Sequence, residues 1–352
     1  GPSPLTTHRT RTATRRKLPR LIGRPDISPY AGPVRVVVTG GAGFIGSNLV
    51  RRLLESGVAD EVAVIDDLST GRRSNLDGLP VDLVEASVLD PDALDDVCAA
   101  SRAIVHLAAL GSVPRSVADP ISTLDVNANG TVAVLEAARR HGGVHTVFAG
   151  SSSVYGANPT LPKREDLATL PVSPYAVSKL AAEAAVLAWG SSYELPTLAF
   201  RFFNVYGPYQ PADHAYAAVI PRFVDAALRG HTAVVHGDGH QSRDFTFVDT
   251  VTATLTDAVA RGVTSSTPVN LAFGARIDLL EVLAEIERAT GLTIDREHTS
   301  TREGDVRHSQ ADNTMLRKLF PTIAPTPFET GIERTVQWMS RTIAAGDAGD
   351  QD

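Results

Sequence analysis

Tyr175 and Lys179 stand four residues apart, a spacing that puts both side chains on one face of a helix. A phenol is normally a poor base, with a pKa of about 10. Nearby positive charge favours the phenolate, which can then take a proton from a hydroxyl at neutral pH. A second set of groups is the run Ser151-Ser152-Ser153, directly after an apolar stretch that reads as a strand. A hydroxyl there can hydrogen-bond a reacting oxygen and stabilise charge developing on it. Taken singly, each feature also fits a plainer role: the pair a solvated helix face, the serines a polar turn. Their meaning depends on what lies upstream.

Upstream is a glycine-rich turn, Gly40, Gly41, Gly43 and Gly46, between the β-branched run Val34–Thr39 and an apolar-periodic segment. Gly40 permits a tight turn, Gly43 removes a Cβ where a pyrophosphate must approach, and Gly46 lets helix and sheet pack closely. The helix N-terminus then offers free N–H groups and a positive dipole end to phosphate. Asp66 follows at the end of the second strand, about 20 residues past the last glycine, where a carboxylate accepts from the adenine ribose hydroxyls. It would repel a 2′-phosphate, so the cofactor is expected to be NAD. Asp67 can share the role, and Arg72 and Arg73 keep NADP as a secondary reading. With NAD in place, its oxidised ring supplies part of the positive charge that Tyr175 needs, and Lys179 can hold the nicotinamide ribose.

Strand and helix patterns alternate around these residues. Val34–Thr39, Val62–Ile65, Ala103–Ala108, Val144–Ala149 and Thr197–Phe202 read as strands; Phe44–Ser56, Asp90–Ala100, Val126–His141 and Tyr175–Ser191 read as helices. This rhythm predicts an α/β fold, a Rossmann-type doubly wound parallel sheet. The rhythm breaks after Asn204. A smaller C-terminal α/β substrate lobe is expected over 206–239 and 273–345, with 33–205 forming the dinucleotide domain and 240–272 returning to it. Residues 1–32, with seven basic side chains and one acid, read as a disordered or surface-draped arm. Ala344–Asp352 is expected to fray.

Bulk properties narrow the function. The 352 residues carry a net charge of −7, which gives no general attraction to nucleic acid or anionic membrane. No apolar run approaches the ~20 residues of a membrane span, and no secretory pattern opens the chain. Cys98 is the only cysteine, so a reducing cytoplasm fits. No metal is expected.

With these features in place, the chain resembles the extended short-chain dehydrogenase/reductase family, most of all its nucleotide-sugar 4-epimerases. The resemblance runs from about Val34 to Trp338 through TGGAGFIGSNL, HLAALGSVPRS, SSSVYG, YAVSK, RFFNVYGP, AYAAVIPRF, GDGHQSRDF and REGDVRHSQAD. It implies Tyr175, Lys179 and Ser151 as the catalytic residues. It implies cofactor contacts from Phe44, Ile45, Ser69, Thr70, Gly71, Ser87, Val88, Leu107, Ala108, Ala109 and Asn127, beside the glycines and acids above. For the sugar nucleotide it implies Gly111, Ser112, Ser152, Ser153, Ala217, Ala218 and Val219. Asn204, Arg243 and Arg302 match contacts to the diphosphate, Asp305 an acid on the nucleoside ribose, and Ser309 a position lining the sugar pocket. The family's Gly-Asp pair that reads adenine is replaced by Ala86-Ser87, so adenine is expected to meet a backbone carbonyl or the Ser87 hydroxyl. The resemblance further implies a homodimer through the Val126–His141 and Tyr175–Ser191 helices.

Fold alone does not choose the reaction. The family's 4,6-dehydratases carry an Asp-Glu pair just after the catalytic hydroxyl, where this chain has Ser152 and Ser153. A 4-epimerase needs no such acid: C4 is oxidised to a ketone, the sugar turns over, and the hydride returns to the other face. A small residue at Ser309 leaves room for an N-acetyl group, so UDP-GlcNAc and UDP-GalNAc are the favoured substrates, with UDP-glucuronate or UDP-glucose next. A 5,6-dehydratase on the same scaffold and a non-catalytic NAD-binding protein complete the alternatives.

Overall fold

The computed structural model describes residues 9–10, 33–212, 217–301 and 307–349. They pack as two compact units. The first runs to Val154 and takes in Ser173–Arg201 and Thr252–Val269; the second takes in Tyr155–Val172, Phe202–Val251 and the chain from Asn270 on.

The first unit is built on a parallel sheet. Its strands lie in the order Val81–Glu85, Glu61–Asp66, Arg35–Thr39, Ala103–His106, His145–Ser151, Thr197–Phe202 and Val269–Leu271, Val269 being this unit's share of the last. The chain direction of the order reverses between Arg35–Thr39 and Ala103–His106, the switch point at which such sheets bind ligands. Val36, Val37 and Val38 are fully buried, which is why this strand is a continuous β-branched run with no alternation. A core of Val37, Ile65, Leu94, Ile104, Val134, Leu135 and Phe148 fills one face. Residues 1–8 and 11–32 of the basic arm lie outside the described residues; Arg9 and Thr10 pair antiparallel with Val84 and Leu83.

The helix carrying Tyr175 and Lys179 spans Pro174–Tyr193. Ser173 caps it, its hydroxyl accepting from the Ala176 amide, and Pro174 takes the first helical position. It is clamped to the neighbouring strand by a buried ion pair. Arg201 donates to Glu183 through Nε at 2.8 Å and Nη2 at 2.7 Å, and both side chains are 4% exposed. Where sequence predicts one helix over Val126–His141, the structure has a wide i→i+5 turn at Asp125–Asn129 followed by an α-helix at Gly130–Arg140. Such turns accompany functional sites, and this one orients Asn127.

The second unit holds three two-stranded ribbons. Asn204–Tyr206 runs parallel to Phe245–Phe247, Ala233–His236 parallel to Arg296–Thr299, and Ser242–Arg243 antiparallel to Ile277–Asp278. Its core includes a cluster of rings from Tyr206, Phe245, Phe247 and Phe328. Tyr155–Val172 packs here, rather than with the dinucleotide domain, because Lys163 donates to the Gln310 carbonyl and its own carbonyl accepts from Asp312. The stretch 242–247 stays here for the same reason, its ladder partners being local. The C-terminal helix continues to Gly349 instead of fraying from Ala344, in keeping with the helix propensity of its alanines. Among the described residues no helix is long and apolar enough to cross a membrane.

Replacing Glu183 by Gln would leave the Arg201 charge buried without a counter-ion. Denaturant unfolding of E183Q should show a loss of about 3–5 kcal/mol, and a paired exchange of both residues for apolar ones a much smaller loss.

Candidate active site

The glycine-rich turn is shaped to hold a dinucleotide. Gly40 has φ +69°, and a Cβ on it would lie 2.8 Å from the Ala108 amide nitrogen. A Cβ on Gly46 would lie 2.1 Å from the Gly40 carbonyl oxygen, so only glycine allows the Phe44–Glu55 helix to start this close to the turn. That helix opens at Gly43 with no side-chain cap and no acid in its first turn, leaving its N-terminal field, at Phe44, Ile45 and Gly46, open to an anion. The residues therefore fit the pyrophosphate of the expected cofactor.

Asp66 is buried at the end of its strand. Its Oδ2 accepts from the Ala42 amide and its Oδ1 from the Leu68 amide, both at 2.9 Å. Burial raises its pKa against the pull of those two amides. A Cβ on Gly71 would sit 2.9 Å from both carboxylate oxygens, so the Ser69–Gly71 loop closes over Asp66 only because residue 71 is glycine. Asp67 is exposed and accepts from the Ser69 amide and hydroxyl, closing its own turn. Arg73 pairs with Glu85, so it is not held free for a 2′-phosphate. Ser87 Oγ accepts from the Leu89 amide, which leaves its proton for an adenine nitrogen, and Val88 is buried against Gly130.

A chain of hydrogen bonds ties this turn to the Tyr175 helix. Thr39 Oγ1 lies 3.1 Å from the amides of both Leu107 and Ala108, which can only donate. Its acceptor positions are filled, so its proton goes to His106 Nδ1 at 2.7 Å. His106 is therefore neutral and protonated on Nε2, which donates to Thr131 Oγ1 at 3.0 Å; Thr131 in turn donates to the Asn127 carbonyl at 2.6 Å. The Asn127 side chain then accepts from the Leu110 amide and donates to the Leu110 carbonyl and to Ser178 Oγ at 2.9 Å. Ser178 closes the chain on the Tyr175 carbonyl at 2.8 Å. All the hydrogen-bonding capacity of the Asn127 amide nitrogen is used inside the protein, so its role is to fix the Leu107–Gly111 segment against the helix. Thr39, His106, Thr131 and Ser178 were not singled out from the sequence. Thr39 and His106 show there only as polar residues at the carboxyl ends of apolar runs, and Thr131 and Ser178 carry no such signal.

At the end of the His145–Ser151 strand the reactive groups converge. Tyr175 is half-buried, and the Ser151 hydroxyl acts on its phenol. Ser151 Oγ also accepts from the Ser153 amide at 3.2 Å. Lys179 is buried, donates to the Ala149 carbonyl at 3.0 Å and lies over the Phe148 ring. Burial raises the Tyr175 pKa, with the Ser151 hydrogen bond pulling the other way. Burial also brings the Lys179 ammonium down to about 8. Desolvation pushes both groups towards their neutral forms. Ser152 and Ser153 follow on a short 3₁₀ turn, and this turn carries no carboxylic acid. Ser112 takes φ +146°, uncommon for a residue with a Cβ, and caps the Val113–Ala118 helix. Gly111 beside it has open space where a Cβ would stand.

In the second unit, the Asn204 amide donates to the Asp244 carbonyl at 3.2 Å. Ala217 is buried, and Ala218 opens the Val219–Arg229 helix without a side-chain cap. Arg243 is anchored through Nη1 to the carbonyls of Ser242 and Arg307. The Ser309 amide donates to the Ser242 carbonyl at 3.0 Å. Arg302 and Asp305 lie outside the described residues.

Residues 36–272 match the NAD dependent epimerase/dehydratase family. The chain belongs to that family. It is 38% identical over 317 residues to a UDP-glucose 4-epimerase of Mycolicibacterium smegmatis, covering 87% of this chain and 98% of that one. It is 33% identical to a dTDP-glucose 4,6-dehydratase of Streptomyces niveus, covering 87% and 92%. Among solved structures it resembles UDP-N-acetylglucosamine 4-epimerase from Methanobrevibacter ruminantium in complex with UDP-N-acetylmuramic acid. The TM-score is 0.82 and the identity 34%, covering 88% of this chain and 99% of that one. The family is NAD-dependent, and the glycine turn with its buried Asp66 has a shape that fits such a cofactor.

The neutral His106 sets a pH dependence. Burial and then the Lys179 charge take its pKa from 6.5 to about 3. Between those values the unfolded chain binds the extra proton, so this group makes stability rise with pH, by up to about 1.4 kcal/mol per unit. Asp244, raised by burial from 3.8 to about 6, acts in the opposite sense over its own window. Comparing the parent with His106→Gln isolates the first effect. The cofactor-free parent should lose more stability than H106Q on going from pH 7 to pH 4.5; equal losses in urea titrations would contradict the assignment.

Proposed function

We propose that this family member is a UDP-sugar 4-epimerase, with the N-acetylated pair UDP-GlcNAc and UDP-GalNAc favoured. One observation carries the reading. Tyr175 and Ser151 act on one another at a strand end, Lys179 is fixed by Ala149 two residues earlier, and the following turn offers only Ser152 and Ser153. This set can remove and return a hydroxyl proton but has no carboxylic acid to expel water. NAD, when bound, accepts a hydride from C4 of the sugar and gives it back. Tyr175 takes the O4 proton and later returns it, Ser151 holds O4 in line with the phenol, and Lys179 favours the phenolate. Asn204 and Arg243 hold the diphosphate, and redox neutrality lets the cofactor stay bound between turnovers.

Ser309 supports the N-acetylated substrates, since its small side chain leaves space beside C2, and the M. ruminantium structure is named for that chemistry. UDP-glucose is the second reading, because the M. smegmatis relative is named for it. A homodimer belongs to the same proposal. The exposed apolar residues Val113, Val117, Ile121 and Val177 lie on Val113–Ala118, Pro120–Leu124 and the Tyr175 helix. They move the expected contact from Val126–His141 to the two short helices before it. The reducing cytosol is the compartment we assign, and Cys98, with its thiol pushed up to about 12 by burial, is inert there.

Tyr175→Phe should keep NAD bound and lower turnover about a hundredfold or more; full activity would remove Tyr175 from the mechanism. Ser309→Tyr should abolish conversion of UDP-GlcNAc while sparing UDP-glucose, read by chromatography of the sugar nucleotides. Equal conversion of both by S309Y would refute the substrate assignment.

A further inference from the structure

Three short segments of the second unit meet on one buried hydroxyl. Ser242 and Arg243 pair antiparallel with Asp278 and Ile277, and Ser242 bridges in parallel to His308. Ser242 Oγ lies 3.1 Å from Arg276 Nε and 2.9 Å from His308 Nδ1. Arginine Nε can only donate, so the hydroxyl accepts from Arg276 while sharing a second hydrogen bond with the imidazole. Ser242 is 3% exposed, which makes this a fixed node, whereas Arg276 itself is exposed. The node also places two predicted substrate residues, because the Ser242 carbonyl accepts from Arg243 Nη1 and from the Ser309 amide.

Arg276 differs from its neighbours in its electrostatics. Arg307 pairs with Asp238, Arg288 with Glu285 and Glu333, and Arg296 with Glu287. Among the described residues no carboxylate pairs with Arg276, and its terminal nitrogens make no hydrogen bond. In a chain of net charge −7 this guanidinium is held by one nitrogen, and among the described residues the other two have no partner. Burial first, then the charges of Arg276, Arg307 and Arg243, keep His308 below the usual imidazole range, against the opposite pull of Asp238, which pairs with Arg307.

We propose that Arg276 is a further anion-binding residue, donating its two terminal nitrogens to phosphate oxygens of the nucleoside diphosphate whose other contact is Arg243. A guanidinium fork matches phosphate oxygens, and fixing its plane beforehand reduces the ordering cost of binding. The inference rests on the reading of Arg243 as a diphosphate contact. Sequence reasoning passed over Arg276 because it stands in a loop, outside the motifs that carry the resemblance.

The test measures calorimetric binding of uridine, UMP, UDP, UDP-glucose and UDP-glucuronate to the full NAD-loaded protein, the Arg276→Ala variant and the Arg243→Ala variant. R276A should weaken UDP and both UDP-sugars about tenfold or more, the range of a charge-assisted hydrogen bond, and leave uridine unchanged. In turnover it should raise KM with kcat nearly kept, the sign of uniform binding. Parental UDP affinity in R276A, with a loss in R243A, overturns the proposal and leaves the Arg243 reading standing. A loss confined to UDP-glucuronate overturns it in favour of a sugar carboxylate contact. If neither variant weakens UDP, the reading of the ribbon as the diphosphate site fails as well. Arg276→Lys should recover little, because an ammonium cannot keep both the Ser242 bond and the fork; full recovery would count against a bidentate contact.

Discussion

Thr39 ends the strand before the glycine turn with a hydroxyl that accepts two amide protons and gives its own to an imidazole. That constraint fixes His106 as a neutral group with one defined tautomer, and every later bond depends on it. Thr131 can accept from His106 only because its own proton goes to Asn127. Asn127 can brace Leu110 and Ser178 because its backbone is held in the Asp125–Asn129 turn. The consequence is mechanical. The turn that receives the pyrophosphate and the helix that carries the base are registered through buried polar groups, each satisfied. A partly satisfied network of this kind would be worse than an apolar core. Full satisfaction makes the register a single state, and catalysis by positioning needs that rigidity.

The reactive groups sit on the far end of that register under a different constraint, desolvation. Burial moves Tyr175 up and Lys179 down, away from the charged forms that proton transfer uses. At neutral pH the phenol is therefore uncharged, with Ser151 pulling towards phenolate against burial, while Lys179, at about 8, stays largely protonated. A bound cofactor carrying positive charge would favour the phenolate of Tyr175 there.

The parts legible in the sequence were those with an unbroken period or an obligatory residue type. Val34–Thr39 could be read because a strand buried on both faces is uniformly apolar, and Gly40 and Gly46 because nothing larger fits. The Val248–Arg261 helix was not read, because its alternating valine and threonine residues mimic a strand and only packing decides between them. Three-residue strands such as Val269–Leu271 are shorter than any pattern window. In the site, Tyr175, Lys179 and Ser151 were found through spacing and resemblance. Thr39, His106 and Ser178 were missed, since a buried polar residue is recognised only by partners distant in sequence. Arg276 was missed for a similar reason: its distinction is that no carboxylate among the described residues pairs with it, which a linear string does not show.

The central claim is that one sugar carbon is oxidised and re-reduced in place by residues that cannot expel water. Its most direct test is turnover of UDP-GlcNAc carrying deuterium on C4 in ordinary water, followed by mass spectrometry. The account predicts UDP-GalNAc with the deuterium still on C4 and no change in total mass, with no net reduction of NAD. Loss of the label to solvent, or a product lighter by one water, would contradict it.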